Sequence, residues 1–234
     1  MTTPHKSEIR RKQILKAAEK VFAHKGYQDA TISDVAREAK VSDATIYEYF
    51  PSKEDLLFSI PGEMTRKYKD EILRILTYAR GWGEKLRCVI QHYLWFYEKH
   101  PDYASVAMLI LKQNRNFLDK EAYQDVREHA QLILHLIEEG MKSGEFRSDL
   151  NPYLIRAMIL GTIEHLVIRR VLLGKPERLV PFTDQFWRMI IQGIVLPKEE
   201  KVFTVRISAE PEEVADKGGQ PIEKKRRSPG EKKV

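Results

Sequence analysis

The chain holds a single cysteine, Cys88, among 234 residues. That excludes an intramolecular disulfide and a Cys-built zinc site, and it suits a reducing compartment, the cytoplasm by default. Long apolar runs are also missing. The most apolar segments are Ala104 to Leu111 and Ala157 to Ile168, and the second contains Glu164 and His165. Neither approaches the roughly 18 apolar residues of a spanning helix, so no membrane partner is expected. The start is basic (Lys6, Arg10, Arg11, Lys12) with no apolar stretch behind it, so nothing directs export. Before residue 200 there is almost no apolar–polar alternation, which makes a sheet improbable. Charge of one sign is not in large excess either: 40 Lys+Arg stand against 34 Asp+Glu, a net +6 that permits a polyanionic partner without demonstrating one.

What the chain does have is apolar residues at helical spacing nearly throughout, which predicts an all-α protein. Ile14, Ala18, Val21 and Phe22 make one stripe of a first helix over about Ser7 to Lys25, stopped by Gly26. Its other face carries Lys6, Arg10, Arg11, Lys12, Lys16, Lys20 and Lys25 against only Glu8 and Glu19. This is either a polyanion-facing surface or an ordinary solvated one.

Thr31, with Asp34 three residues on, reads as the cap of a short second helix. Ser42 caps a third, whose buried positions Ile46 and Phe50 lie four apart and which Pro51 ends. Two short helices joined by about three residues form a helix-turn-helix pattern. Such a helix seats its first turn, here Ser42, Asp43, Ala44 and Thr45, against base edges in the major groove. Asp43 is able to accept from a cytosine amino group, and the methyls of Ala44 and Thr45 suit thymine. Tyr47 and Tyr49 offer phenol hydroxyls; for Tyr47 the alternative is packing against Phe22 and Phe50. Lys53 begins a fourth helix, where its ammonium and the helix N-terminus both favour a phosphate.

The resulting organisation is a helix-turn-helix domain over 1–52 and a connecting helix over 53–81, kinked or broken at Pro61-Gly62. A larger helical domain follows over 82–197, then a charged, flexible tail over 198–234. The tail ends in a cluster (Lys224, Lys225, Arg226, Arg227) that is either a weak DNA attraction or merely solvated; Val202 to Ile207 alternates like a short strand. Within the third domain, helices are expected at Trp82 to Lys99, Tyr103 to Arg115, Asp119 to Ser143, Pro152 to Leu173 and Pro181 to Leu196.

Residues 41 to 57, VSDATIYEYFPSKEDLL, and the preceding RRKQILKAAEKVFAHKGYQDATISDVAREA resemble the DNA-binding region of the TetR family of bacterial transcriptional regulators. The resemblance implies a three-helix DNA-binding domain joined through helix 4 to a helical ligand domain that dimerises through its last two helices. It also implies backbone-phosphate contacts from Thr31, Thr45, Tyr47 and Lys53. Two positions depart from the family pattern, which usually has glycine where this chain has Lys40 and Ala44. Lys40 is therefore expected in the left-handed region, at about 1 kcal/mol. The segment IEEGMKSGEFRSDLNPYLIRAMILGTIEHLVIRR is similar to the subgroup that regulates fatty-acid degradation, whose effectors are long-chain acyl-CoA esters.

An acyl chain needs an apolar tunnel, for which the candidates are Tyr93, Phe96, Tyr97, Met108, Leu111, Phe117, Leu132, Leu136 and Ile163, or else these are plain core. Lys112, Arg115 or Arg169 would suit an anionic headgroup at its entrance. The eighth and ninth helices are apolar over more than one stripe. Met158, Gly161, Phe182, Phe186, Met189 and Gly193 are expected to face a second copy in a homodimer. Such a dimer would repress by occupying double-stranded DNA with an inverted-repeat operator, and effector binding would release it through helix 4, with Pro61-Gly62 as a hinge or a fixed kink. The alternative effector is a drug-like cation, for which Glu98, Glu138, Glu139 and Glu164 are the nearby carboxylates.

An enzyme is not expected. Cys88 and His92 lie four apart on one helix, but no orienting acid or oxyanion glycine pattern accompanies them. The histidines are scattered and Glu164-His165 lacks a partner histidine, so neither metal nor cofactor is expected.

Overall fold

The computed structural model describes residues 4–195, apart from the side chains of residues 4, 5, 67, 121, 122, 125 and 129. The tail over 198–234, its possible strand and its basic cluster lie outside the described residues. Among those described there is no strand, only one isolated bridge between Phe146 and Val195. Nor is any helix long and apolar enough to cross a membrane.

Helix α1 (Pro4–Asp29) is interrupted at Gly26, whose φ of 77° is the left-handed stop expected there. α2 (Ile32–Ala39) starts on a full capping box: Asp34 N donates to Thr31 Oγ1 at 3.1 Å and Thr31 N to Asp34 Oδ2 at 3.1 Å. It ends on Lys40 at φ 56°, ψ 47°, whose amide returns to the Ala36 and Arg37 carbonyls. The strained lysine is thus where the glycine of the family pattern would be. α3 (Asp43–Tyr49) is capped by Ser42 and α4 (Lys53–Leu76) by Ser52, each accepting from the amide three residues on. Ile14, Ala18, Phe22, Val35, Ile46 and Phe50 from α1 to α3 are almost wholly buried together.

α4 runs unbroken through Pro61 and Gly62, both buried. A break there is thereby corrected: neighbouring helices hold the segment helical despite the amide that proline lacks. α5 (Gly81–Lys99), α7 (Glu121–Lys142), α8 (Pro152–Leu173) and α9 (Thr183–Ile194) fall close to their expected spans. The expected helix from Tyr103 to Arg115 does not form as one piece. α6 (Pro101–Ser105) begins earlier, with Pro101 in its first turn. It passes into a π turn over Val106–Ile110 and then 3-10 turns over Leu111–Gln113 and Arg115–Asp119. Wider turns of this kind commonly make room for a site, and this one borders a cavity.

α5 has no cap of its own, since Arg80 offers no side-chain bond. The Glu145 carboxylate supplies it from the turn after α7, accepting from Trp82 N at 2.7 Å and Gly83 N at 2.8 Å. Glu98 does the same for the chain ahead of α9, accepting from the Leu179 and Val180 amides at 2.6 and 3.0 Å. These backbone bonds and Arg178 outweigh the cost of its partial burial and hold its pKa below the usual range.

Candidate functional site

The head formed by α1 to α3 presents a mixture of free and engaged groups. Ser42 Oγ and Thr45 Oγ1 lie 2.9 Å apart at the start of α3, beside an exposed Ala44. Asp43 is not simply presented outward: its carboxylate accepts from Ser33 Oγ at 2.5 Å and ties α3 to α2. A second role for it at a base edge would compete with that bond. Tyr47 is 53% exposed, so it does not cap the small core, whereas Tyr49 is half-buried with its ring 6.5 Å from Phe50. Lys53 Nζ stands 4.5 Å over the Tyr27 ring and donates to the Gln28 carbonyl at 3.3 Å. Thr31 bonds Asp34 through both amide and hydroxyl.

Part of the basic face of α1 is engaged within the protein. Lys12 pairs with Glu8 and Glu63, Lys20 with Glu38, Lys25 with Asp34, and Arg11 lies 5.2 Å over Phe50. The bond from Lys25, with those from Thr31, holds the Asp34 carboxyl down to about 2. Ordinary ion pairing therefore accounts for Lys12, Lys20 and Lys25 of the seven basic residues on this face.

Glu19 differs from its neighbours on α1. It is half-buried toward Asp102 of α6, and burial, then the Asp102 charge, push its pKa up to about 7 against the weaker pull of Lys16. His24 Nδ1 lies 3.9 Å from Asp102, and Ser105 donates to the Ala23 carbonyl at 3.4 Å, so this is where the head meets α6. A carboxyl raised on folding costs stability only once ionised. The cost is absent below its ordinary pKa, near pH 4, and complete above about pH 8. Glu19→Gln is expected to add about 1–2 kcal/mol at pH 8, discounted for the water that still reaches it, and nothing at pH 4. Urea unfolding at the two pH values checks this; equal gains at both would refute it.

The body holds a partly open cavity of about 390 Å³ between α4, α5, the π turn, α7 and α8. Of the expected lining, Tyr93, Tyr97, Met108, Leu111 and Phe117 are in its wall, and Phe96 lines a chamber of about 50 Å³ that shares Tyr93, Tyr97 and Tyr103 with it. Leu132, Leu136 and Ile163 are not in the wall; Leu136 and Ile163 are buried core. Sequence reasoning missed Pro61, Tyr103, Tyr123, Val126, Arg127 and Leu160. Lys112 lines the cavity and pairs with Glu164, also in the wall, while Arg115 and Arg169 are exposed outside it. Glu98 binds the Leu179 and Val180 amides, and Glu98, Glu138 and Glu139 take no part in the wall.

On α8, Ile155, Ile159, Ile163 and Val167 point inward, leaving Met158 and Gly161 outside. On α9, Phe186, Ile190 and Ile194 are the buried stripe. Phe186 is therefore corrected from an intersubunit position to the protomer's own core, where its spacing of four with Ile190 and eight with Ile194 puts it. Phe182, Met189 and Gly193 remain exposed, Met189 at 68%.

Cys88 and His92 share a surface depression with Glu71 and Trp95. His92 Nε2 is 3.2 Å from Glu71, while burial and Glu84 push the Cys88 thiol pKa up, which disfavours the thiolate. Among the described residues, no group of three or more His, Cys, Asp or Glu is placed to hold a metal ion.

The sequence matches two family models: bacterial regulatory proteins of the tetR family over residues 14–60, and the YsiA-like protein C-terminal region over residues 63–193. It is 30% identical over 182 residues to the fatty acid metabolism regulator protein of Bacillus subtilis, covering 78% of this chain and 94% of that one. It is 32% identical over 164 residues to the HTH-type transcriptional regulator HbdR of Aromatoleum sp., covering 69% and 70%. Among solved structures, FadR of Bacillus subtilis in complex with stearoyl-CoA superposes with a TM-score of 0.69 at 30% identity, over 78% of this chain and 98% of that one. With a capped helix-turn-helix head on a helical body and both parts matched, the chain belongs to the TetR family of DNA-binding transcriptional regulators and is close to its fatty-acid metabolism regulators, which are not enzymes.

Proposed function

We propose that the protein is a cytoplasmic homodimeric repressor that occupies an inverted-repeat operator and is released by an acyl-CoA thioester. The observation that carries the reading is the cavity: Pro61 of α4 stands in its wall, on the helix that also carries Lys53 at the head. An occupant pressing on Pro61 would shift α4, and the spacing of two heads with it. The stearoyl-CoA bound by FadR supports a thioester as the occupant, and Arg127 provides a cation in the wall for an anionic headgroup, beside Lys112, which is paired with Glu164.

In this reading Thr31, Thr45, Tyr47, Tyr49 and Lys53 hold phosphates, and Ser42 and Ala44 approach bases. Asp43 would have to serve both Ser33 and DNA. Met158, Gly161, Phe182, Met189 and Gly193 form the outer face of α8 and α9, which the second copy covers. A cationic effector is less well served, because Glu164 is the one of its four candidate carboxylates in the wall and it is already paired with Lys112.

The test is selection of bound duplexes from a random library at fixed moderate salt, followed by titration of the selected duplex with a set of acyl-CoA thioesters and with free CoA. An inverted repeat with half-site centres about 34–36 Å apart is expected, as is release by a thioester but not by free CoA. Absence of an enriched motif from folded protein would sink the operator reading.

A further inference from the structure

The cavity wall is rich in phenols where a plain alkyl tunnel would have aliphatic side chains. Tyr93, Tyr97 and Tyr103 line both chambers, and Phe117 and Tyr123 add two more rings, 5.6 Å apart and edge-on, to the larger one. The Tyr97 and Tyr103 rings are nearly parallel, with centroids 6.3 Å apart.

The hydroxyls are not equally provided for. Tyr93 interacts with Tyr68, and Tyr103 with Thr65. Among the described residues Tyr97 Oη has no hydrogen-bond partner, although its ring stands in the cavity wall. Tyr97 is half-buried, and an occupant that sealed its hydroxyl from water with an alkyl group would leave it unsatisfied. The volume points the same way: about 390 Å³ is at the small end of the roughly 300–1,000 Å³ range of small-molecule sites.

From these three features we infer that the acyl part of the effector is a compact ring bearing an oxygen acceptor, bound by Tyr97, in place of a long saturated chain. The inference rests on the thioester reading above and refines it. The ring stacks edge-on among Tyr93, Tyr97 and Tyr103, and its oxygen accepts from Tyr97 Oη. A site built to hydrogen-bond its ligand discriminates against the analogue lacking that group far more sharply than an apolar slot does.

The probes are para-hydroxyphenylacetyl-CoA, phenylacetyl-CoA, the carbon-matched octanoyl-CoA, and stearoyl-CoA, titrated calorimetrically into the full chain and its Tyr97→Phe variant. Para-hydroxyphenylacetyl-CoA is expected to bind about tenfold more tightly than either phenylacetyl-CoA or octanoyl-CoA. Tyr97→Phe should abolish that preference by weakening para-hydroxyphenylacetyl-CoA, while octanoyl-CoA, no longer buried against an unpaired hydroxyl, binds at least as tightly as to the wild type; an unchanged far-UV circular dichroism spectrum shows that the variant is folded. If stearoyl-CoA or octanoyl-CoA binds as tightly as the hydroxylated ring, the inference falls and the thioester reading stands. A preference that survives Tyr97→Phe overturns the assignment to Tyr97. Failure of all four probes to bind overturns both the inference and the thioester reading.

Discussion

Gly140→Ala is expected to lower the stability of the protein by about 3 kcal/mol, the upper end of overpacking costs. For a chain of this size that is a fall in Tm of roughly 6–12 °C. The added Cβ would sit 2.2 Å from Phe146 Cδ2 and 2.3 Å from Cε2, far inside van der Waals contact with a ring that is 1% exposed. Neither side has room to give. The Gly140 carbonyl accepts from the Glu145 amide at 3.0 Å, from the Phe146 amide at 2.9 Å and from Ser143 Oγ at 3.0 Å, so its backbone is held from three directions. Displacing Phe146 would also drag Glu145, whose carboxylate caps α5, and Arg147, whose amide reaches the Ile194 carbonyl at 2.8 Å. Gly144→Ala is the control. Its φ of +77° imposes strain of about 1 kcal/mol, but nothing lies within 4 Å of the new methyl. Calorimetry should rank Gly140→Ala well below Gly144→Ala; equal midpoints would remove the steric argument.

Such a contact cannot be seen in the sequence, where Gly140 is one more small residue near a helix end. What was legible is what is local. Thr31 and Ser42 announced α2 and α3 because a cap bonds an amide only three residues on. The left-handed Lys40 followed from the resemblance, whose pattern usually has glycine at that position. The π turn after α6 was not legible: Val106 and Met108 fit a continuous helix equally well, and packing of that turn against α1 and α8 decides the outcome.

The cavity divides in the same way. Tyr93 and Leu136 carry the same sequence signature, a large apolar side chain on a buried stripe, yet one lines a void and the other fills the core. Periodicity identifies the inward face; only the meeting of α4, α7 and α8 leaves part of that face empty. Pro61 and Tyr103 were missed for this reason, since each reads as an ordinary feature of its own helix. The bond from Ser33 to Asp43 joins two helices and was equally hidden. By contrast, Phe186 was separable from Met189 on spacing alone, because it shares a stripe with Ile190 and Ile194.

Phe22→Ala should cost about 3–5 kcal/mol, as expected for deleting a fully buried ring, and the loss should appear first at the head. Phe22 is 0% exposed and packs edge-on to Tyr27, with centroids 5.7 Å apart. Tyr27 in turn carries the Lys53 ammonium 4.5 Å from its ring centroid, and that ammonium donates to the Gln28 carbonyl at 3.3 Å. Removing Phe22 therefore loosens the platform that positions Lys53 as well as the core. The head is small, so one ring is a large share of its buried apolar surface. The cavity is walled by residues of α4 to α8 and does not include Phe22. Thermal unfolding of Phe22→Ala is expected to split into two steps, with operator binding lost in the first and thioester binding persisting into the second. Phe22→Leu, which keeps most of the volume, should cost less than about 1.5 kcal/mol and melt in one step. A single transition for Phe22→Ala at the wild-type midpoint, or undiminished operator affinity below it, would show that the head does not depend on this ring. Loss of both binding activities together would show that head and cavity unfold as one unit, and that α4 passes on stability as well as position.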